Sequence, residues 1–444
     1  MATPPNDAIG TVLERVTRRP ILRVAGAVVG LLLCVAGARG ALTIGFSRWL
    51  IAKSGSLGSL NRAVNLSPQD ASAYQSRAAE LLKRGDFSLA ANDLRQAISL
   101  RAGDYHLWSE LAAALSRDGK LNEALAAAAE AESLAPDYTS THWDRGTLLL
   151  KVGRRDEAFD EFREVSLNRP DLFISALNIA WDEYGGDCAT IERAVGTRNH
   201  RELLILARFF IRNGKPSESM ALIGKIDNLS KDDRLGLVAD FLKARFFGEG
   251  YTLWAAGSAK VTANQATGAV TDGSFDSGEI PDDESFGWQI NKLPATTVSI
   301  EKSEVHTGPA SLRIDWAGNP PTSDQSISQL VIVEPNTSYK LEFVARAQNL
   351  ISGGAPVITV TDVSEQAEQG IGQSSTLPLK TTDWENRSVD FTTTRATRAV
   401  RIALRRETCG QPSCPIFGSL WLDDFSLKRL ELRSSNSGRP MNRK

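Results

Sequence analysis

From Val24 to Ala38 the sequence VAGAVVGLLLCVAGA carries no charge, and after Arg39 the apolar character resumes as GALTIGF. Between about residues 54 and 250 the chain is rich in Ala and Leu and poor in β-branched residues, which predicts helices. After about Gly250, Ser, Thr, Gly and Val rise and a period of two replaces the helical one. SLRIDW sets Leu312, Ile314 and Trp316 on one face against Arg313 and Asp315 on the other. YKLEFVARA does the same with Tyr339, Leu341, Phe343 and Ala345, and VRIALR with Val400, Ile402 and Leu404. ISQLVIV, VITVTD and SVDFTT supply further strands, so seven to nine short strands predict a jelly-roll β-sandwich. The fold class is therefore multidomain, α then β. A tail (1–20), an apolar span (21–46), a helical region (54–250), a sandwich (265–432) and a disordered tail (433–444) follow in order.

The apolar stretch from about Ile21 to Phe46 can cross a hydrocarbon layer of roughly 30 Å. Arginines 15, 18, 19 and 23 precede it, and Arg39, Arg48 and Lys53 follow. The excess before the span favours a cytoplasmic N-terminus. A cleaved signal peptide competes, because Ala36-Gly37-Ala38 is a small-residue box behind an apolar core. Both readings put the bulk of the chain outside the cytoplasm, on the periplasmic side of an inner membrane. The uncleaved single-pass anchor is preferred.

Within the helical region a spacing of 34 recurs. Gly85, Gly119 and Gly153 obey it, as do Ala90, Ala124 and Ala158, and Pro68, Pro136 and Pro170 with the intermediate step at Ala102. Tyr74 pairs in register with Trp108, and Phe87 with Leu121. These positions resemble the tetratricopeptide repeat family, whose unit is a helix, a turn at Gly and a second helix that meets the first at a small Ala. The resemblance implies an α-α superhelix with three clear units over about 71–172 and degenerate helical pairs to about Phe247. It also implies protein partners held along the face built by the first helix of each unit. That face takes in Gln75, Lys83, His106, Arg117, Trp143 and Lys151. Lys83, Arg117 and Lys151 form a basic ladder one repeat apart; their place in the last turn of each helix equally suits the helix dipole.

In the β region, TDGSFDSG (271–278), FGWQI (286–290), HTGPASLRI (306–314), EPNTSYKLEFVARA (334–347) and SLWLDDFSL (419–427) follow one another in an order that resembles carbohydrate-binding module families 4 and 9. Asn336 stands where the family has a turn Gly, a tolerable exchange at positive φ. Adjacent Asp423 and Asp424 point to opposite faces of a regular strand, so one needs a partner. The resemblance implies a structural Ca2+ held by Asp424 and Asp276, with Asp272 as substitute; solvated or Arg-paired carboxylates are the competing reading. Sugar recognition in such sandwiches uses aromatic platforms, and the candidates are Trp288 and Trp384, with Trp316 assigned to the core; the resemblance equally gives Trp288 and Trp384 structural places, in the Gly-Trp pair and as a cap of the sandwich.

Cys409 and Cys414 in CGQPSC would close a small disulfide loop contributing roughly 2 kcal/mol in an oxidising compartment. With 23% charged residues and a formal net charge of −2, no global field favours nucleic acid. The four histidines show no metal-ligand spacing, and no nucleophile elbow occurs. The run Asp282-Asp283-Glu284 cannot flank a glycosidic bond, because adjacent carboxylates lie on one side of it. A non-enzymatic scaffold for protein partners, with a lectin-like domain, is the expected function. Its setting is assembly or export of cell-surface polysaccharide (exopolysaccharide); a glycan-sensing protein or an accessory subunit of a carbohydrate-active enzyme is the alternative.

Overall fold

A computed structural model describes residues 20–54, 56–257, 268–279, 285–322, 325–410 and 413–430. The two terminal tails read from the sequence, apart from Pro20, and the carboxylate run 282–284 lie outside these. The chain divides into two compact units between Thr197 and Arg198, not where the composition changes near Gly250.

The first unit opens with helix α1 (Pro20–Ser54), 35 residues long. Among the described residues it is the one helix long and apolar enough to cross a membrane, and the same test is passed by a signal sequence. Its side chains from Val24 to Val35 are exposed, whereas Ser47 and Leu50 near its end are buried. Leu50 packs with Ala63, Val64 and Ala73, and the Ser47 hydroxyl donates to the Ala63 carbonyl at 3.1 Å. The end of α1 thus acts as the first helix of the partial unit whose second helix is α2 (Leu57–Leu66).

Three hairpins follow: α3 (Ala71–Arg84) with α4 (Phe87–Leu100), α5 (Tyr105–Arg117) with α6 (Leu121–Leu134), and α7 (Thr139–Lys151) with α8 (Arg155–Asn168). The periodic glycines close the first helices. Gly85, Gly119 and Gly153 take φ of 87°, 79° and 80°, a region that side chains resist. The periodic alanines are fully buried, so the two helices of a pair meet where no side chain intervenes. Asp70 and Asp104, one period apart, accept hydrogen bonds from the first-turn amides of Ser72 and His106. The third unit has Tyr138 there and no side-chain cap. Helices α9 (Pro170–Glu183) and α10 (Cys188–Val195) end the unit, the first with Pro at its N-terminus. The tetratricopeptide reading of this region holds.

The second unit begins with α11 (His200–Arg212), α12 (Pro216–Ile223), α13 (Lys231–Lys243) and α14 (Phe247–Ala255). Ten strands follow among the described residues: β1 (Gln289–Ile290), β2 (Thr296–Glu301), β3 (Ser311–Gly318), β4 (Ile327–Ile332), β5 (Ser338–Ser352), β6 (Pro356–Asp362), β7 (Gln369–Gln373), β8 (Glu385–Thr392), β9 (Ala399–Arg406) and β10 (Ile416–Arg429). They form two antiparallel sheets of order β1-β4-β9-β6-β7 and β2-β3-β10-β5-β8. Leu312, Ile314, Trp316, Leu341, Phe343, Ile402, Leu404, Leu420 and Leu422 meet between the sheets. The alternation rule located this core.

Two stretches depart from regular strands. The stretch 271–278 is a run of turns, with Asp272 and Phe275 at positive φ, and not a strand. At Asp423–Ser426 the pairing of β10 with β5 shifts register at a bulge, where Asp424 takes φ of 54°. The bulge breaks the strand's parity, and of the two adjacent carboxylates Asp423 is the fully buried one. Asn336 does adopt positive φ, 51°.

The last helices are part of the sandwich unit for a packing reason. Phe247 of α14 is buried with Val363 and Ala399, and Leu242, Leu330 and Ile332 flank them. Arg245, between α13 and α14, donates to the Val363 carbonyl at 2.5 Å. Together they cover part of the outer face of the β1-β4-β9-β6-β7 sheet.

Candidate binding sites

In the repeat unit, the residues expected on the groove fall on the first helices. Gln75 of α3 donates to Glu110 of α5 at 2.8 Å, and Lys151 of α7 donates to Ser116 of α5 at 2.9 Å. Each bond joins first helices of adjacent units, so these rows lie side by side. Burial, only partly offset by the Gln75 bond, pushes the Glu110 carboxyl upward. Lys83 is exposed beside Glu80, and Arg117 is exposed in the last turn of α5. His106 lies with its ring centroid 3.9 Å from that of Tyr105. Trp143 is half-buried, its ring 4.7 Å from Phe162, so much of it belongs to the packing of α7 on α8.

Sequence reasoning missed a repeated charge pair. Arg77 makes two 2.7 Å bonds to Asp93, which is 6% exposed. Two periods later Arg145 pairs with Glu161 at 2.5 Å and with Glu132 at 2.9 Å. The intermediate unit has Leu111 and Ala127 in those places. The shared register of Arg77 with Arg145, and of Asp93 with Glu161, was a legible signal. His142 joins the second network: Nδ1 is 2.7 Å from Glu161 Oε2, and Nε2 is 2.7 Å from the Pro136 carbonyl. Both ring nitrogens face acceptors, so only the charged ring satisfies both. Desolvation opposes that charge, but the Glu161 bond, the Pro136 carbonyl and the two glutamates outweigh it and raise the pKa. Glu132, His142 and Glu161 bring potential metal-ligand atoms together. Arg145 and the charged imidazole already neutralise the two carboxylates, so the cluster is explained as an ion-pair network.

In the sandwich, the closing strand's two carboxylates sit under the turn 306–308. Asp423 accepts from the backbone amides of His306 (3.1 Å), Thr307 (3.4 Å) and Asp424 (2.8 Å). Burial pushes its pKa up to about 6 against the pull of those amides. Asp424 accepts from His306 Nδ1 at 2.6 Å and from the Thr307 hydroxyl at 2.5 Å. Asp276 borders the same turn: it accepts from the Ser274 hydroxyl at 2.8 Å, and a Cβ on Gly308 would stand 2.1 Å from its Oδ1. Asp272 is bound to Ser277. An oxygen-ligated cation needs free lone pairs and carbonyls. This turn offers Asp423 amide hydrogens, and the oxygens of Asp424 are already bonded. Asp276 and Asp424 do border one turn, as the Ca2+ implied by the family resemblance would need, while protein hydrogen bonds already reach both Asp424 oxygens.

Of the four sandwich tryptophans, three are buried. Trp288, at 3% exposure, donates Nε1 to the Asp272 carbonyl and packs with Phe275 and Phe425. It has no free face for a sugar, which corrects its candidacy. Trp316 lies in the core as read, and Trp421 is sealed between the guanidinium groups of Arg313 and Arg346. Trp384 is half-exposed, its ring 5.6 Å from His306. His306 in turn lines a cleft of about 360 Å³ on the outer face of the β2-β3-β10-β5-β8 sheet. Lys340, Glu342, Asn386, Arg387, Ser388, Asp424 and Ser426 complete its polar lining. Donors and acceptors at strand spacing beside a partly exposed indole suit polyhydroxylated ligands.

Cys409 and Cys414 form a disulfide, as expected. Arg406, 8% exposed, binds the Cys414 carbonyl at 2.6 Å and the Pro320 carbonyl at 3.2 Å.

Residues 267–409 match the family model described as a carbohydrate binding domain. No curated protein sequence matches the chain. Among solved structures, a MamA structure is 22% identical and covers 26% of this chain and 67% of that one, with a TM-score of 0.25. MamA 41-end from Desulfovibrio magneticus RS-1 is 21% identical, covering 26% and 65%, TM-score 0.25. A CBM4 structure is 16% identical, covering 36% and 99%, TM-score 0.28. The fold assignment rests on the helix pairing and strand order above, not on these likenesses.

Proposed function

We propose that this chain is a non-enzymatic, membrane-anchored adaptor that holds protein partners on its helical repeats and a saccharide on its sandwich. The match of residues 267–409 to a carbohydrate binding domain, in one chain with 34-residue helix hairpins, carries the proposal. The saccharide site is the cleft beside Trp384, because this is the sandwich tryptophan, among the described residues, that keeps part of its ring exposed. The exposed apolar length of α1 supports the anchor. The Cys409–Cys414 disulfide supports an extracytoplasmic, periplasmic setting for the bulk of the chain. Assembly or export of cell-surface polysaccharide unites these features, since it needs proteins gathered at a membrane and a hold on the polymer.

Affinity electrophoresis of the detergent-solubilised full chain through gels containing neutral and acidic polysaccharides tests the reading. At least one polymer should retard the protein, and Trp384→Ala should abolish the shift. Unchanged mobility across the panel, or a shift indifferent to Trp384→Ala and Asn386→Ala, would reject it.

A further inference from the structure

A cleft of about 510 Å³ lies between the end of the apolar helix and the first repeat. Gly40, Thr43 and Ile44 of α1 form one wall, Leu66 and the turn to Asp70 the other, and Arg48 and Arg101 stand at its rim. Resting on the anchor reading above, we propose that this cleft holds the headgroup of an anionic phospholipid.

Depth is the first argument. At 1.5 Å per residue, twenty residues from Val24 span roughly 30 Å and end at Thr43. The cleft wall is therefore where hydrocarbon gives way to headgroups. Just beyond it Phe46 and Trp49 are 53% and 49% exposed with rings 5.5 Å apart, and Lys53 stands 4.8 Å over the Trp49 ring. Exposed stacked aromatics with a lysine are what an interface accommodates.

Charge is the second argument. Arg48 and Arg101 approach one carboxylate, Asp70, at 3.6 and 3.7 Å, beyond hydrogen-bond reach. The Asp70 side chain is 8% exposed, whereas those of Arg48 and Arg101 are 66% and 45% exposed. Asp70 is also committed to capping α3 at Ser72. The carboxylate is recessed and the two guanidinium groups face outward, so the rim presents cations. A phosphodiester with its acyl chains along Ile44 and the apolar wall matches both parts, and planar guanidinium groups bind phosphate oxygens well.

The test uses the full chain reconstituted in bilayers of phosphatidylcholine with a minor share of phosphatidylglycerol. Lipid retained after detergent stripping is counted by native mass spectrometry. Phosphatidylglycerol should be enriched over its share, and Arg48→Gln and Arg101→Gln should each lower its retention about fivefold. Both side chains are at the surface, so the variants fold. A carbonate wash of the same membranes reads the anchor separately: release of the chain would overturn the anchor and the lipid site together. A chain that stays in the membrane with no phosphatidylglycerol enrichment, or with equal enrichment in both variants, would overturn the lipid site alone. Displacement of the lipid by millimolar inorganic phosphate would mean a free-anion site and would equally overturn it.

Discussion

Replacing Phe247 by Ala tests whether the last helices and the sandwich are one cooperative body. Phe247 is 5% exposed and sits with Val363 and Ala399. Truncating a buried Phe to Ala costs about 3–5 kcal/mol. The lower end applies here, because a cleft of about 270 Å³ already lies beside the ring and lets the site relax. A loss of about 3 kcal/mol corresponds to roughly a hundredfold faster opening equilibrium. Hydrogen exchange of the full chain, read by mass spectrometry, should show that acceleration in α14 and also in β4 and β9, whose outer faces α14 covers. Phe247→Leu should keep most of the protection. If exchange rises in α14 while β4 and β9 stay unchanged, the helices merely rest on the sheet and the unit boundary at Thr197/Arg198 has no energetic meaning.

Three further outcomes are expected. The raised His142 pKa means that its stabilising contribution is complete below about pH 6.5 and is lost as pH rises through the folded value; His142→Gln should cost about 1–2 kcal/mol at pH 6 and flatten that slope in urea titrations, and an identical slope in the variant would refute the assignment. Asp423 has the opposite sense for a carboxylate: its folded pKa, about 6, lies above the unfolded value, so wild type should lose stability relative to Asp423→Asn as pH rises from about 4 to 6, and a constant difference across that window would contradict a buried, desolvated carboxyl. Because the Asp423 and Asp424 oxygens are already hydrogen-bonded, millimolar Ca2+ or a chelator should leave the thermal midpoint of the sandwich unchanged by calorimetry, while a rise of several degrees with Ca2+ would show that the donor set rearranges around a cation.

Much of the architecture was legible because it follows from periodicity. A spacing of 34 marked the turn glycines 85, 119 and 153 and the fully buried alanines 90, 124 and 158, and alternation in SLRIDW and VRIALR placed the sandwich core. What was not legible depended on contacts between distant segments. Nothing local in FGEGYTLWA says that Phe247 will pack on Val363 and Ala399, so the composition switch near Gly250 falls inside the second compact unit. Parity along a strand said that one of Asp423 and Asp424 needs a partner but could not anticipate the bulge, nor that Asp423 is the buried one. Two-residue β1 and Gly-rich β7 are too short and too weakly patterned to stand out as strands. Which tryptophan keeps a free face was not legible for Trp288, because its neighbours Phe275 and Phe425 come from segments far apart in the chain.

Hydroxyl-radical footprinting of the full chain, with and without the polysaccharide that retards it, addresses the adaptor reading most directly. The account predicts protection at Trp384 and along 386–388, with the helices between 71 and 168 unchanged. Protection confined to those helices, or to the outer face of β4 and β9, would contradict it.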